Sequence, residues 1–195
     1  MIFPELTIQL PDWVNTFIPD SKTIYATVEE RMELAIELAA QNIKHDGGPF
    51  GAAIFELQTG KLIAPGINLV MQINCSVVHA EIVAIILAQQ MLENFDLGAE
   101  GLPEYELVTS TEPCTMCLGA IPWSGIRSVV CGARDEDARE IGFDEGEKPK
   151  HWIEVLENRS IEVTRDIFRD KAKALLQKYV DEGGIIYNGR GINAI

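Results

Sequence analysis

Two kinds of hydrophobic pattern alternate along this chain: one recurs at helical spacing, the other runs unbroken over a few residues. Met32, Ala35, Ile36, Ala39, Ala40 and Ile43 recur every three or four positions, which gathers them on one face of a helix. Thr27-Val28-Glu29-Glu30 stands before them as a capping box, Thr at the cap and Glu three residues on. Gly47-Gly48 ends the segment. Phe50 to Leu57 and Lys61 to Val70 then flank Gln58-Thr59-Gly60, which reads as a hairpin. Ala80 to Leu92 is strongly apolar and predicts a buried helix opened by His79, and Tyr105 to Ser110 predicts a short buried strand. A helix over Cys114 to Ile121, stopped near Pro122, is followed by a second buried strand over Ser128 to Gly132. Asp135 to Glu140 suits a brief helix. Phe168 to Val180 places Ala172, Leu175, Leu176 and Tyr179 on one side of a last helix, capped by Gly183-Gly184.

Strands alternating with helices from residue 50 onward predict an α/β fold, with helices covering both faces of a sheet that contains parallel strands. Residues 1–26, with Pro4, Pro11 and Pro19 and little periodicity, read as an N-terminal extension on the surface. The organisation expected is that extension, a main domain over 27–165, and a C-terminal helix and tail over 166–195. The composition, 47% hydrophobic and 24% charged over 195 residues, is that of a soluble globular domain. No apolar run approaches the roughly 20 residues that span a bilayer. The N-terminus lacks the basic start and apolar stretch of a signal peptide, so a cytoplasmic location and no membrane partner are expected.

Charge narrows the partners. Thirty acidic residues against sixteen basic ones give a net charge of −14, a surface that repels a phosphate backbone, and no Lys/Arg-rich block offsets it. A small neutral substrate is expected rather than nucleic acid. Of the four cysteines, Cys75, Cys114, Cys117 and Cys131, two are spaced C-x-x-C in a chain without a signal peptide, which favours metal or redox chemistry over disulfides.

Two short motifs carry that chemistry. His79-Ala80-Glu81 opens one predicted helix, and Pro113-Cys114-Thr115-Met116-Cys117 stands where a strand hands over to another. One helical turn separates Cys114 from Cys117 and puts both sulfurs on one side. A helix N-terminus also favours thiolates through its unpaired N–H groups and dipole. An imidazole and two thiolates suit one tetrahedral zinc ion and leave its fourth corner for water, whose pKa the metal lowers to about 7. Glu81, two residues from the ligand His79, is placed to take up that water's proton and pass it to a substrate. A closed structural zinc site is the alternative, with Cys75 or Cys131 as a fourth ligand. Cys131 sits in an apolar strand pattern, where a small hydrophobe is the ordinary role. Cys75, four residues before His79, is the stronger candidate of the two.

H-x-E followed by P-C-x-x-C is the signature of zinc deaminases, and the chain resembles the cytidine-deaminase-like superfamily. Thr111 to Ile121 looks like its purine branch, which guanine deaminases share with tRNA adenosine deaminases. Gly48-Pro49-Phe50-Gly51-Ala52 resembles a loop forming one pocket wall, and Asn68 the asparagine that contacts a ring carbonyl. Gly142-Phe143-Asp144-Glu145 resembles an element of the bacterial guanine deaminases. Ser76-Val77-Val78 departs from the Asp-Pro-Thr that many relatives carry before the histidine. The resemblance implies a three-layer α/β/α sandwich around a mixed five-stranded sheet. It also implies a homodimer whose exchanged C-terminal segments help close the pockets, with Tyr187 as the tail residue to follow.

The implied activity is zinc-dependent hydrolysis of guanine to xanthine and ammonia. His79, Cys114 and Cys117 would hold one zinc per subunit, Glu81 and Glu145 would serve catalysis, and Asn68, Phe50 and Phe143 would contact the base. Deamination of tRNA adenosine, cytosine, another base or a triazine, and a purely structural zinc, stand as alternatives. Phe50 and Phe143 are expected to sandwich a planar base, with plain core packing as the other reading. Glu145 is expected to accept hydrogen bonds from guanine's N1–H and amino group, although an acidic run such as 144–147 is more often a solvated loop. Trp123 suits the pocket or the core, and His45 and His151 read as surface or packing residues.

Overall fold

The computed structural model describes residues 7–18 and 23–189. Pro4 and Pro19 of the expected extension, and the end of the tail from 190, lie outside the described residues. In chain order the elements are α1 (Asp12–Phe17), α2 (Val28–Lys44), β1 (Gly51–Glu56), β2 (Leu62–Ile67), α3 (Val70–Ile73), α4 (Ala80–Met91) and β3 (Tyr105–Thr111). They continue with α5 (Thr115–Ser124), β4 (Ser128–Ala133), α6 (Asp135–Glu140), α7 (Trp152–Glu157), β5 (Glu162–Thr164) and α8 (Arg169–Asp181).

The five strands form one sheet in the order β2-β1-β3-β4-β5. β1 runs antiparallel to both β2 and β3, whereas β3, β4 and β5 run parallel. Side chains of a strand point alternately to opposite faces, and both faces of this sheet are buried. Ala53 and Phe55 of β1, Val108 of β3 and Val130 of β4 join α2 and α8 in one core layer. Ala52 and Ile54, Leu107, and Val129 and Cys131 join α4, α5 and α7 in the other. That is the three-layer α/β/α sandwich. Every residue of β3 and β4 is buried because both faces of the sheet are covered, and Pro65 is tolerated because β2 is an edge strand.

The helix caps follow the sequence closely in places. Thr27 N–H donates to Glu30 Oε2 at 3.1 Å and Glu30 N–H to Thr27 Oγ1 at 3.2 Å, so the capping box of α2 is complete. Elsewhere the structure corrects the expectation. Pro122 does not stop α5 but lies inside it; the helix runs to Ser124 and ends at Gly125, which takes the left-handed conformation at φ 83°. A proline so near the C-terminus removes one N–H and costs little of a ladder that is about to end. The second hairpin strand ends at Ile67, short of Val70, and the chain turns into α3. In the N-terminal segment, α1 buries Val14 in the core, and Trp13 stacks on His45 with ring centroids 4.9 Å apart. His45 is therefore a packing residue, and His151 is exposed beside Glu154. No helix among the described residues is long and apolar enough to cross a membrane.

Candidate active site

Two helix N-termini converge where β3 ends. His79 is the N-cap of α4 and Cys114 the N-cap of α5. A ligand site outside the carboxyl ends of parallel strands is the general habit of α/β sheets. His79 Nδ1 lies 3.4 Å from Cys114 Sγ. His79, Cys114 and Cys117 offer ligand atoms that all lie within 4.8 Å of one another, with both cysteines buried. One imidazole nitrogen and two sulfurs at that spacing fit tetrahedral zinc. Cys75 and Cys131 do not join the cluster: Cys131 packs in the core, and Cys75 is half-buried against the α2 layer. Among the described residues the site has three ligands and no fourth.

These three groups perturb one another strongly. Cys114 is held well below the usual thiol range, first by a hydrogen bond from Cys117 and then, against the penalty of burial, by His79. Cys117 is pushed well above its ordinary value, because Cys114 already carries the charge and the site is buried. Two thiols close together thus keep one proton between them, and a divalent cation is what would release it. Burial works against an imidazolium at His79, but the Cys114 thiolate and the carboxylates of Glu81 and Glu145 outweigh it and raise its pKa.

Glu81 sits in the first turn of α4, 6% exposed. Burial, and secondly the charge on Cys114, push its carboxyl up to about 7. A carboxyl at that value can both take and give a proton near neutrality. The exposed first-turn acid that chance would put there is not what the fold contains.

The remaining candidates line one pocket of about 140 Å³ with His79, Glu81 and Cys114: Phe50, Asn68, Phe143 and Glu145. Within the acidic run, Asp144 and Glu147 face solvent while Glu145 turns inward and is 7% exposed. Burial, then the charges of Cys114 and Glu81, push its carboxyl up to about 8. The loop is tied down on both sides of this residue. Thr115 N–H and Oγ1, at the start of α5, both donate to the Glu145 carbonyl at 3.0 Å. Lys148 Nζ reaches Glu112 Oε2 at 3.1 Å, and Glu112, just before the cysteine motif, is also paired with Arg165. Asn68 is 1% exposed; its Oδ1 accepts the Val70 N–H at 3.2 Å, which leaves the amide NH₂ as the donor.

Two expectations about aromatic residues need correction. Phe50 and Phe143 pack edge to face, with centroids 4.9 Å apart and planes at 72°. No planar base fits between rings already in contact, so they do not form a sandwich; each contributes instead to one wall. Trp123 is 88% exposed and belongs neither to the pocket nor to the core.

The tail completes the enclosure. It reverses at Gly183 (φ 82°), Tyr179 donates to the Ile185 carbonyl at 2.7 Å, and Tyr187, Asn188 and Gly189 then line the pocket of their own chain. The Tyr187 hydroxyl is buried without a hydrogen-bond partner among the described residues, as is that of Thr111. Thr111 and Ser76 also line the pocket and were missed in the sequence. Their only sequence signal is adjacency to the two motifs.

Comparison with known proteins agrees with this architecture. Residues 26–133 match the family described as the cytidine and deoxycytidylate deaminase zinc-binding region. The chain is 40% identical over 134 residues to a guanine deaminase of Bacillus subtilis (strain 168), covering 68% of this chain and 81% of that protein. It is 34% identical over 148 residues to a tRNA-specific adenosine deaminase of Agrobacterium fabrum, covering 72% and 93%. The solved guanine deaminase of Nitrosomonas europaea is 49% identical and superposes with a TM-score of 0.87 over 92% of this chain and 98% of its own. A crystal structure in complex with 2,6-diaminopurine is 50% identical, with a TM-score of 0.88 over 94% and 97%.

Proposed function

This chain belongs to the cytidine and deoxycytidylate deaminase zinc-binding family, and from that premise we propose that it hydrolyses guanine to xanthine and ammonia. The observation that carries the choice of guanine is the inward turn of Glu145, a second buried carboxylate on the wall of the pocket that holds Asn68. Guanine presents two kinds of edge, donors at N1–H and the amino group and an acceptor at the ring carbonyl. Glu145 complements the first and the Asn68 NH₂ the second. The guanine deaminases among its relatives support the same reading.

Zinc on His79, Cys114 and Cys117 would supply the Lewis acid that makes water a nucleophile near neutral pH. The chain's own groups do the rest. Phe50 and Phe143 wall the base, while Asn68 and Glu145 fix its rotation in the pocket. Glu81 takes a proton from the attacking water, hands it to the ring nitrogen beside the carbon under attack, and helps protonate the departing amine. Water adds across the ring C=N bond at the carbon that bears the amino group, the C–NH₂ bond then breaks and ammonia leaves, so the sum is guanine plus water to xanthine plus ammonia. Tyr187 and the tail shield the site from bulk solvent.

A tRNA substrate is the second reading, because several relatives are tRNA-specific adenosine deaminases. The net charge of −14 opposes it, and so does the small size of the pocket, about 140 Å³. The test is ammonia release across free bases, nucleosides, triazines and tRNA, with and without a chelator. Guanine should be the preferred substrate, with one xanthine formed per ammonia. Preference for adenosine in tRNA would overturn the proposal.

We place the protein in the cytoplasm, in keeping with four free thiols that a reducing compartment preserves. We also propose that it is a homodimer. Met91, Phe95 and Trp123 are 67%, 83% and 88% exposed. The Leu97 N–H to Ser124 carbonyl bond, 2.8 Å, brings the Phe95 loop to the end of α5. A second copy is the occupant proposed for that apolar surface. Light scattering on a Trp123→Glu variant should report a smaller species than the wild type, and an unchanged mass would count against this face.

A further inference from the structure

Asn42 lies in the last turns of α2, is completely buried and does not itself line the pocket. Its amide nevertheless ties together the segments that build the substrate wall. Asn42 Nδ2 donates to the Gly48 carbonyl at 2.9 Å and to the Asn68 carbonyl at 2.9 Å. The second of these fixes Asn68 from one side. From the other side, the Asn68 N–H donates to the Phe50 carbonyl at 3.2 Å, and the Asn68 side chain accepts from Val70. With its N–H, its carbonyl and its Oδ1 all engaged, Asn68 can aim its NH₂ in one direction only. The first bond fixes Gly48, whose Cα faces the tail: a Cβ there would lie 2.0 Å from the Tyr187 hydroxyl.

The cost of this arrangement is visible. Among the described residues Asn42 Oδ1 is buried without a partner, a state that natural structures rarely tolerate. Turning the amide over would set that oxygen against two carbonyls and leave both without a donor, so the orientation is fixed. An apolar side chain of similar size would fill the same space without an orphan oxygen. What it could not do is donate to the Gly48 and Asn68 carbonyls. Gly47 is shaped to the same purpose, since a Cβ on it would fall within 2.4 Å of the Asn42 amide.

We propose that Asn42 is a positioning residue for base recognition, the amide that holds the Gly48 and Asn68 carbonyls just beyond the end of the β1–β2 ladder. The proposal rests on the reading in which the Asn68 NH₂ donates to guanine's ring carbonyl. It predicts a loss specific to that carbonyl. 2,6-Diaminopurine carries an amino group where guanine has the carbonyl, so it cannot accept the bond that Asn42 supports.

The test is a double-mutant cycle on the zinc-loaded enzyme with Asn42→Leu and Asn68→Ala, reading kcat and KM for guanine and inhibition by 2,6-diaminopurine. Asn42→Leu should lower kcat/KM for guanine by about tenfold, mainly through KM, the size of one hydrogen bond lost. Inhibition by 2,6-diaminopurine and zinc content should stay within about twofold of wild type. Added to Asn68→Ala, the same substitution should cost less than about twofold, because residues acting through one contact are not additive. Gly47→Ala, which displaces the Asn42 amide without removing it, should reproduce the discrimination if Asn42→Leu folds poorly. Additive losses, or equal losses toward both bases, would overturn the proposal and leave Asn42 a structural residue. A wild-type enzyme inactive on guanine would instead overturn the underlying choice of substrate.

Discussion

The metal corner and the substrate wall share one pocket but are assembled in opposite ways. The corner draws on two short motifs at two helix N-caps, with ligands one turn apart on α5 and the proton carrier two residues from the histidine on α4. The wall draws on the loop before β1, the turn after β2, the loop after α6 and the tail after α8. Covalent spacing sets each half of the corner, and one long-range contact, His79 to Cys114, joins the halves. Long-range contacts set the wall: Asn42 to Asn68, Thr115 to Glu145, Lys148 to Glu112 and Asn188 to Asp144. Damage to the corner should therefore abolish chemistry outright, and damage to the wall should produce graded losses.

The largest effect expected is that of Cys114→Ser, which should strip zinc and all measurable turnover, whereas Cys75→Ser should keep both. Metal analysis beside the ammonia assay checks the pair, and loss of zinc from the Cys75 variant would convert the corner into a closed structural site. Glu81→Gln should come next, losing on the order of 10³–10⁴ in kcat while zinc content stays at one per chain. On the wall, Glu145→Gln should lower kcat/KM for guanine by about tenfold, the worth of one hydrogen bond. Unchanged turnover would remove Glu145 from the site.

A smaller effect should appear as stability. Asp137 on α6 lies 1% exposed and is paired with Arg169 at 2.9 Å and Lys173 at 3.1 Å, which ties α8 to the helix that leads into the Phe143–Glu145 loop. Burial alone would raise its pKa, but Arg169, the Arg134 N–H and Lys173 outweigh it and hold the carboxyl far below the usual range. A carboxyl with a depressed folded pKa stabilises the protein above its unfolded pKa of about 4, and that contribution is lost as pH falls through the folded value. Asp137→Asn should therefore cost about 2 kcal/mol at pH 7, and the gap from wild type should narrow in denaturant melts below about pH 4. A gap independent of pH would mean that the ion pairs are not its source.

The same contrast explains what could be read in the sequence. The capping box at Thr27, the helix opened by His79 and the strands β3 and β4 are written in local periodicity, and the structure repeats them. So is the metal cluster, because its ligands lie in motifs of three and five residues. β5 escaped notice: it is three residues long, carries Glu162 and Thr164 outward, and gains its partner only through pairing with β4. The inward turn of Glu145 among exposed acids was reached by resemblance alone, since the bonds from Thr115 and Lys148 that turn it inward join residues 30 and more positions away. The contact between the Phe50 and Phe143 rings, and the exposure of Trp123, depend on packing that no spacing records.

X-ray absorption at the zinc edge of the purified protein tests the centre of this account most directly. Two sulfurs, one imidazole and a fourth, exchangeable ligand not supplied by the chain are the shell predicted. A third sulfur or any fourth protein ligand would contradict it, and the proton carrier at Glu81 would then have no water to act on.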